Sequence, residues 1–267
     1  MQLRSIFALI LATALPVLYI IIQTSGTLLI QSADTAFVLF TGACTILAFM
    51  MIMKMGARGR LGLMHVGMFT GMLLVFLGTL ATGIYAIVLR TPTPVPSVAD
   101  ILNFGGYASA ALATLQFLWY FRAGFSKLQF KLTPFLGALV AGPNLILSHP
   151  NLATQTPLIV EGTWIAYPLL DGFLVVLAVM VLLLFNEGIV SSCWRWLAVG
   201  MILITVADAV IGIGNVQGWS QFVEPFNIFY FWGYICLGLG FSLMPRLERL
   251  HPLDRDYHKA RIMQPLD

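Results

Sequence analysis

Apolar runs long enough to cross a bilayer recur eight times along this chain of 267 residues, at roughly 4–23, 33–54, 62–89, 97–121, 130–148, 164–186, 194–214 and 223–244. A membrane-crossing α-helix needs about 20 such residues. Transmembrane strands would be about 10 residues long and would alternate polar with apolar, and no such alternation is present. Only 9% of the residues are charged while 59% are hydrophobic, too few charges to cover the surface of a soluble domain. The first run, Ser5 to Gln23, is longer than the apolar core of a signal peptide and no A-x-A site follows it, so it reads as a retained helix. The fifth run is the weakest. Pro134 and Gly142-Pro143-Asn144 interrupt it and predict a kink or an early end.

The basic residues test this segmentation. Arg4, then Lys54, Arg58 and Arg60, then Arg122, Lys127 and Lys131, then Arg195 fall at alternate ends of successive spans, and Arg246, Arg249, Arg255, Lys259 and Arg261 follow the last. Thirteen of the fourteen Lys and Arg thus share one side, and Arg90 alone takes the other. Basic loops stay in the cytoplasm, and one miscounted span before the last would break the alternation. The expectation is an all-α integral membrane protein of the cell membrane, an eight-transmembrane-helix bundle with both termini cytoplasmic. Residues 1–245 form the membrane domain, and 246–267 form a charged tail too short to be a catalytic domain. Asp34, Asp100, Glu161, Asp171, Asp208 and Glu224 fall in the outer half and give that mouth a negative potential that favours cationic groups.

One helix start is written twice. In Asp100-Ile-Leu-Asn-Phe-Gly-Gly-Tyr107, Pro96 suits an opening turn, Asp100 offsets orphan N–H groups, and Asn103 and Tyr107 follow on the same stripe. Asn227-Ile-Phe-Tyr-Phe-Trp-Gly-Tyr234 repeats the Ile, Phe, Gly and Tyr, with Pro225 before it. Tyr167-Pro168-Leu-Leu-Asp171 is a shorter echo. The fourth, sixth and eighth spans therefore read as copies within helical-hairpin repeats. All three run in the same direction, which counts against the inverted repeats common in alternating-access transporters.

Pro96, Ser97, Asp100 and Tyr107, then Tyr167, Pro168 and Asp171, then Asp208, then Trp232 and Tyr234 resemble the multi-helix membrane sensor region found at the N-terminus of prokaryotic diguanylate cyclases, phosphodiesterases and histidine kinases. The likeness covers about residues 60–245. It implies a sensor architecture, here with Asn227 where an acid is expected and with no output domain after residue 245.

Asp208 is the sharpest single signal, a carboxylate inside the seventh span about 8 Å from its outer end at 1.5 Å per residue. Its position is costly unless it faces the bundle interior, and Thr205, Gly212 and Asn215 share its face. Asp100, Asp171 and Glu224 each admit two readings. One is capping of their own helices; the other is convergence with Asp208 on an outer pocket whose floor holds Tyr107, Tyr230 and Tyr234. On the second reading the ligand-binding residues are Asp100, Asn103, Tyr107, Asp171, Asp208, Asn227, Tyr230 and Tyr234. Trp164 and Tyr167 read as interfacial anchors. Cys44, Cys193 and Cys236 read as small packing residues. His65, His149, His251 and His258 lack the spacing of a metal or haem pair, and the late spans hold no lysine for a retinal Schiff base, so no cofactor is expected. No hydrolase, metalloprotease, P-loop or Rossmann signature occurs, so no enzyme activity is expected either. The partners expected are the lipid bilayer, a small cationic or polar ligand and a signalling protein, with no nucleic acid. The function expected is a membrane sensor, with a cation- or proton-coupled transporter or channel and an accessory subunit of a larger complex as alternatives.

Overall fold

A computed structural model describes residues 30–121, 127–148, 157–184, 191–218 and 224–250. Seven helices and no strand occur among these residues: α1 (Ile30–Met55), α2 (Gly59–Gly83), α3 (Val98–Tyr120), α4 (Lys127–Ser148), α5 (Leu158–Leu184), α6 (Ser191–Val216) and α7 (Asn227–Leu250). A π-helical segment, Ile84–Leu89, prolongs α2, and a 3-10 turn, Glu224–Phe226, precedes α7. The expected span at 4–23, His149 and the tail beyond Leu250 lie outside the described residues.

All helices except α4 contain a stretch long and apolar enough to cross a membrane. Large apolar side chains such as Leu39, Met53, Ile101, Leu112 and Trp119 remain exposed on their outer faces. That pattern fits a multi-pass membrane protein whose solvent is lipid. In α4 the apolar part, Thr133–Leu147, is shorter than a crossing. The helix nevertheless runs unbroken through both Pro134 and Pro143, so the early end expected at its prolines does not occur. Packing along α5 supports it instead.

Two further boundaries differ from expectation. α5 begins at Leu158, several residues before the expected start, because Pro157 offers its carbonyl to the N–H groups of Val160 and Glu161 and Glu161 compensates the first turn. α7 continues through Pro245 to Leu250, where the sequence suggested that the helix stops.

The six long helices close a ring. α1 packs on α2, α2 on α3, α3 on α5, α5 on α6, α6 on α7, and α7 returns to α1; α4 sits outside, against α5 and α6. Three seams within this arrangement share one design. Cβ atoms placed at Gly71 and Gly106 would each come within 3.0 Å of the other residue's carbonyl oxygen. Gly137 and Gly172 stand in the same relation at 2.9 Å, and Gly200 and Gly233 at 2.8 and 3.0 Å. The hairpins α2/α3, α4/α5 and α6/α7 are therefore each closed by one reciprocal glycine pair, where only the missing side chain allows the backbones to touch. Gly106 and Gly233 are the glycines shared by the two repeated helix starts.

Hydroxyl and thiol groups lock neighbouring helices. Thr45 donates to the Met72 carbonyl at 3.1 Å, Ser109 to that of Gly67 at 2.9 Å, and the Cys44 thiol to that of Tyr234 at 3.0 Å. The end of the ring near Lys54 is solid. Phe117 stacks on Trp194 with ring centroids 3.6 Å apart, and Leu177, Val181, Phe241 and Met244 are buried with them.

A cavity at the centre of the helix ring

Towards the other end, where α3, α5 and α7 begin, the ring encloses a cavity of about 590 Å³. Each helix contributes one stripe to it at the spacing of a helical face. α5 presents Trp164, Tyr167, Asp171 and Leu174; α6 presents Leu197, Met201, Ile204, Asp208 and Gly212. α7 adds Tyr230, Tyr234, Leu237 and Phe241, α3 adds Asn103 and Tyr107, and α2 runs from Met68 and Met72 up to Thr79 and Thr82. Phe37 of α1 and Asn144 of α4 complete the wall. Along α2, α5 and α7 the polar side chains lie towards the Pro96 end and the aliphatic and thioether ones towards the Lys54 end; α6 follows the same gradient from Leu197 to Asp208, with Ile211 beyond the carboxyl.

Asp208 sits eight residues before the last residue of α6, or about 12 Å from that end at 1.5 Å per residue. Both of its oxygens are engaged. The Tyr107 hydroxyl donates to Oδ2 at 2.7 Å, and the Tyr230 hydroxyl donates to Oδ1. These contacts join α3, α6 and α7 through one carboxyl group, and two charge-assisted bonds of this kind can hold it inside a bundle. Phe37 steadies the Tyr230 ring edge-on at 5.3 Å.

Asp171 has the opposite environment. It is the fourteenth of 27 residues in α5, so it is not at a helix start and caps nothing. It is 1% exposed, it lines the cavity, and no donor reaches either of its oxygens. Its neighbour in the site is the Asp208 carboxyl, and two carboxyl groups can bond only by sharing a proton. Burial of an ionised group without a partner is costly. The position therefore calls for a proton or for a cation bearing donors.

Asp100 behaves as the capping reading expects. Its Oδ2 accepts the Ser97 backbone N–H at 2.7 Å and the Ser97 hydroxyl at 2.9 Å. Its Oδ1 accepts the Tyr167 hydroxyl at 2.8 Å, which ties the start of α3 to α5. Asp100 is not part of the cavity wall, and neither is Asn227, the half-buried first residue of α7. Six of the eight sequence-selected residues meet around the cavity: Asn103, Tyr107, Asp171, Asp208, Tyr230 and Tyr234. Trp164 and Tyr167, read from sequence as interfacial anchors, face the cavity instead. They lie two turns and one turn before Asp171, respectively, on its own stripe, a spacing that could have revealed them. Phe37, Thr79, Thr82 and Asn144 carried no comparable signal, since isolated hydroxyl, amide and aromatic residues are common in membrane helices.

No group of three or more His, Cys, Asp or Glu side chains suited to a metal occurs among the described residues. All three cysteines are buried thiols. No protein-family model matches the chain, and no curated protein or solved structure matches it either.

Proposed function

We propose that this is a sensor or receptor-like protein of a prokaryotic cell membrane that binds a small ligand in its central cavity. In this reading the chain crosses the membrane eight times with both termini in the cytoplasm, as the one-sided placement of thirteen basic residues supports. The cavity then opens from the outer half. The observation that carries the reading is a tyrosine-held Asp208 beside a buried Asp171 that no hydroxyl or N–H reaches, in a space sized for a small molecule. The resemblance of the repeated helix starts to prokaryotic sensor regions supports the same role. Because Tyr107, Asp208 and Tyr230 link α3, α6 and α7, a ligand that competes for any of these bonds would shift the packing of the hairpins. A partner protein would read that shift at the cytoplasmic loops and tail.

Thermal unfolding of the purified protein, with and without a panel of sugars, polyols, amino acids, amines and inorganic cations, tests this. The native protein is expected to be stabilised by at least one class, and Asp208→Asn to lose that stabilisation. Absence of any ligand-dependent shift in the native protein overturns the reading.

A cation- or proton-coupled transporter is the second reading, favoured by the two adjacent carboxyls deep in the bundle. The solid Phe117–Trp194 layer weighs against it. Flux through proteoliposomes that Asp208→Asn abolishes would establish the transporter in its place.

A further inference from the structure

The cavity is sharply zoned, and the zoning specifies a ligand. From Asp208 to Leu197 on α6, and from Tyr230 to Phe241 on α7, the wall extends eleven residues, or about 16 Å of helix. The deep part of that length is lined by Met72, Leu174, Leu197, Met201 and Leu237, with no acid or hydroxyl among them. The shallow part holds the two carboxyls and four tyrosines. A sugar would leave the deep part unmatched. An inorganic cation would leave most of the volume unfilled. A polyamine would push a second charge into apolar surroundings, where no partner offsets its desolvation.

The two carboxyls also differ in what they can receive. Asp208 already accepts two phenol protons. Asp171 accepts from no hydroxyl or N–H and meets only the Asp208 carboxyl, so it is the oxygen pair with capacity for a donor brought from outside. A quaternary ammonium has no N–H to give; a primary or secondary ammonium does. Tyr234, beside Asp208 on the same wall, and Trp164, on the Asp171 stripe, present rings to the same space, and their faces attract a cation.

We propose that the cavity binds an amphiphilic monoamine. Its primary or secondary ammonium head bonds Asp171, and its single apolar body extends towards Leu197, Leu237 and Phe241. This rests on the ligand-binding reading above and names the chemical class of the ligand.

The test uses the full chain in lipid nanodiscs, with free probe concentrations corrected by protein-free nanodiscs, and probes that share a dodecyl tail: dodecylamine, dodecyltrimethylammonium and dodecanol. Butylamine serves as the tail-less control. Thermal shift and equilibrium binding on the native protein are expected to rank dodecylamine at least about tenfold tighter than the quaternary and alcohol probes, the gain typical of a hydrogen bond to a charged group. Butylamine should bind more weakly still. Asp171→Asn should reduce dodecylamine to the level of dodecanol. Leu237→Trp, which fills the apolar part, should weaken dodecylamine and leave butylamine unchanged.

Equal binding of the amine and quaternary probes overturns the assignment of the head to Asp171. Equal binding of dodecylamine and butylamine overturns the apolar body. Both comparisons stand on the native protein alone, so a variant that fails to fold does not blunt them. Stabilisation by a sugar or an inorganic cation of the wider panel, with none by the amines, sinks this inference and leaves the receptor reading standing. No shift with any compound sinks both.

Discussion

Asp100 and Asp171 follow prolines in similar sequence settings, and the fold treats them in opposite ways. Asp100 opens α3, engages Ser97 at its own helix start and receives the Tyr167 hydroxyl. Asp171 sits midway along α5, buried and without a donor. The difference lies upstream. Before Asp100 runs Thr91-Pro92-Thr93-Pro94-Val95-Pro96, which cannot be helical, so the helix must start there. Before Pro168 the chain already has Pro157 and Glu161 to start the helix a full three turns earlier, and Pro168 is carried inside it. A proline followed by an acid thus marks a helix start only where nothing further upstream can serve as one. Where something can, the acid is drawn into the interior and must find another use.

Four substitutions would break or sharpen this contrast. The largest effect is expected at Gly172, beside Asp171. A Cβ there would lie 2.7 Å from that of Ala141 and 2.9 Å from the Gly137 carbonyl oxygen, so Gly172→Val should force α5 off α4 and destabilise the protein by about 3 kcal/mol. Thermal unfolding in nanodiscs would register this. A neutral result would mean that the seam does not set the depth of Asp171.

Asp100→Ala should cost about 2 kcal/mol by the same measurement. About half of that is the lost cap and about half the Tyr167 hydroxyl left without its acceptor. Asp171→Leu should have the opposite sign in the ligand-free protein. It removes a buried carboxyl that no hydroxyl or N–H reaches and relieves its crowding against the Asp208 carboxyl, and a stabilisation of about 1–2 kcal/mol is expected. Destabilisation comparable to that of Asp100→Ala would show that Asp171 has a structural partner and would end the contrast. Tyr167→Phe is the smallest, at about 1 kcal/mol. It should leave α5 helical by circular dichroism, because the ring keeps its contacts with Phe104 at 4.7 Å and Tyr107 at 6.4 Å.

Much of the architecture was legible from residues alone because lipid imposes simple demands. A helix is the cheapest way to bury a backbone in hydrocarbon, so apolar length reports helices directly. The six membrane-length helices among the described residues coincide with six of the eight sequence spans. The repeated Ile-x-x-Phe-x-Gly-Tyr pattern was visible as well, and its glycines proved to form the reciprocal glycine contacts of two hairpins. Asp208, Tyr107, Tyr230 and Tyr234 could be selected in advance because polar groups at helix-face spacing inside apolar runs are expensive and must turn inward.

The local sequence could not distinguish a capping acid from an orphaned one, or an interfacial tyrosine from a cavity wall. Asp171, Trp164 and Tyr167 were all placed near a helix start that lies elsewhere in the folded chain. Where α5 begins depends on a proline carbonyl and a first-turn glutamate competing with a later proline, a choice made by the whole segment. Which helices become neighbours is likewise not written in any one of them. The ring closes because the α2/α3 and α6/α7 glycine seams and the packing of α1 on α2 and α7, of α3 on α5 and of α5 on α6 are satisfied together, and the cavity is the space those contacts leave. By itself the sequence determined which segments enter lipid and which side chains must avoid it, because transfer cost is a property of each residue. Only the tertiary structure decided that Asp208 would be held by two tyrosines and Asp171 by none, because a hydrogen bond requires two groups from distant segments to meet.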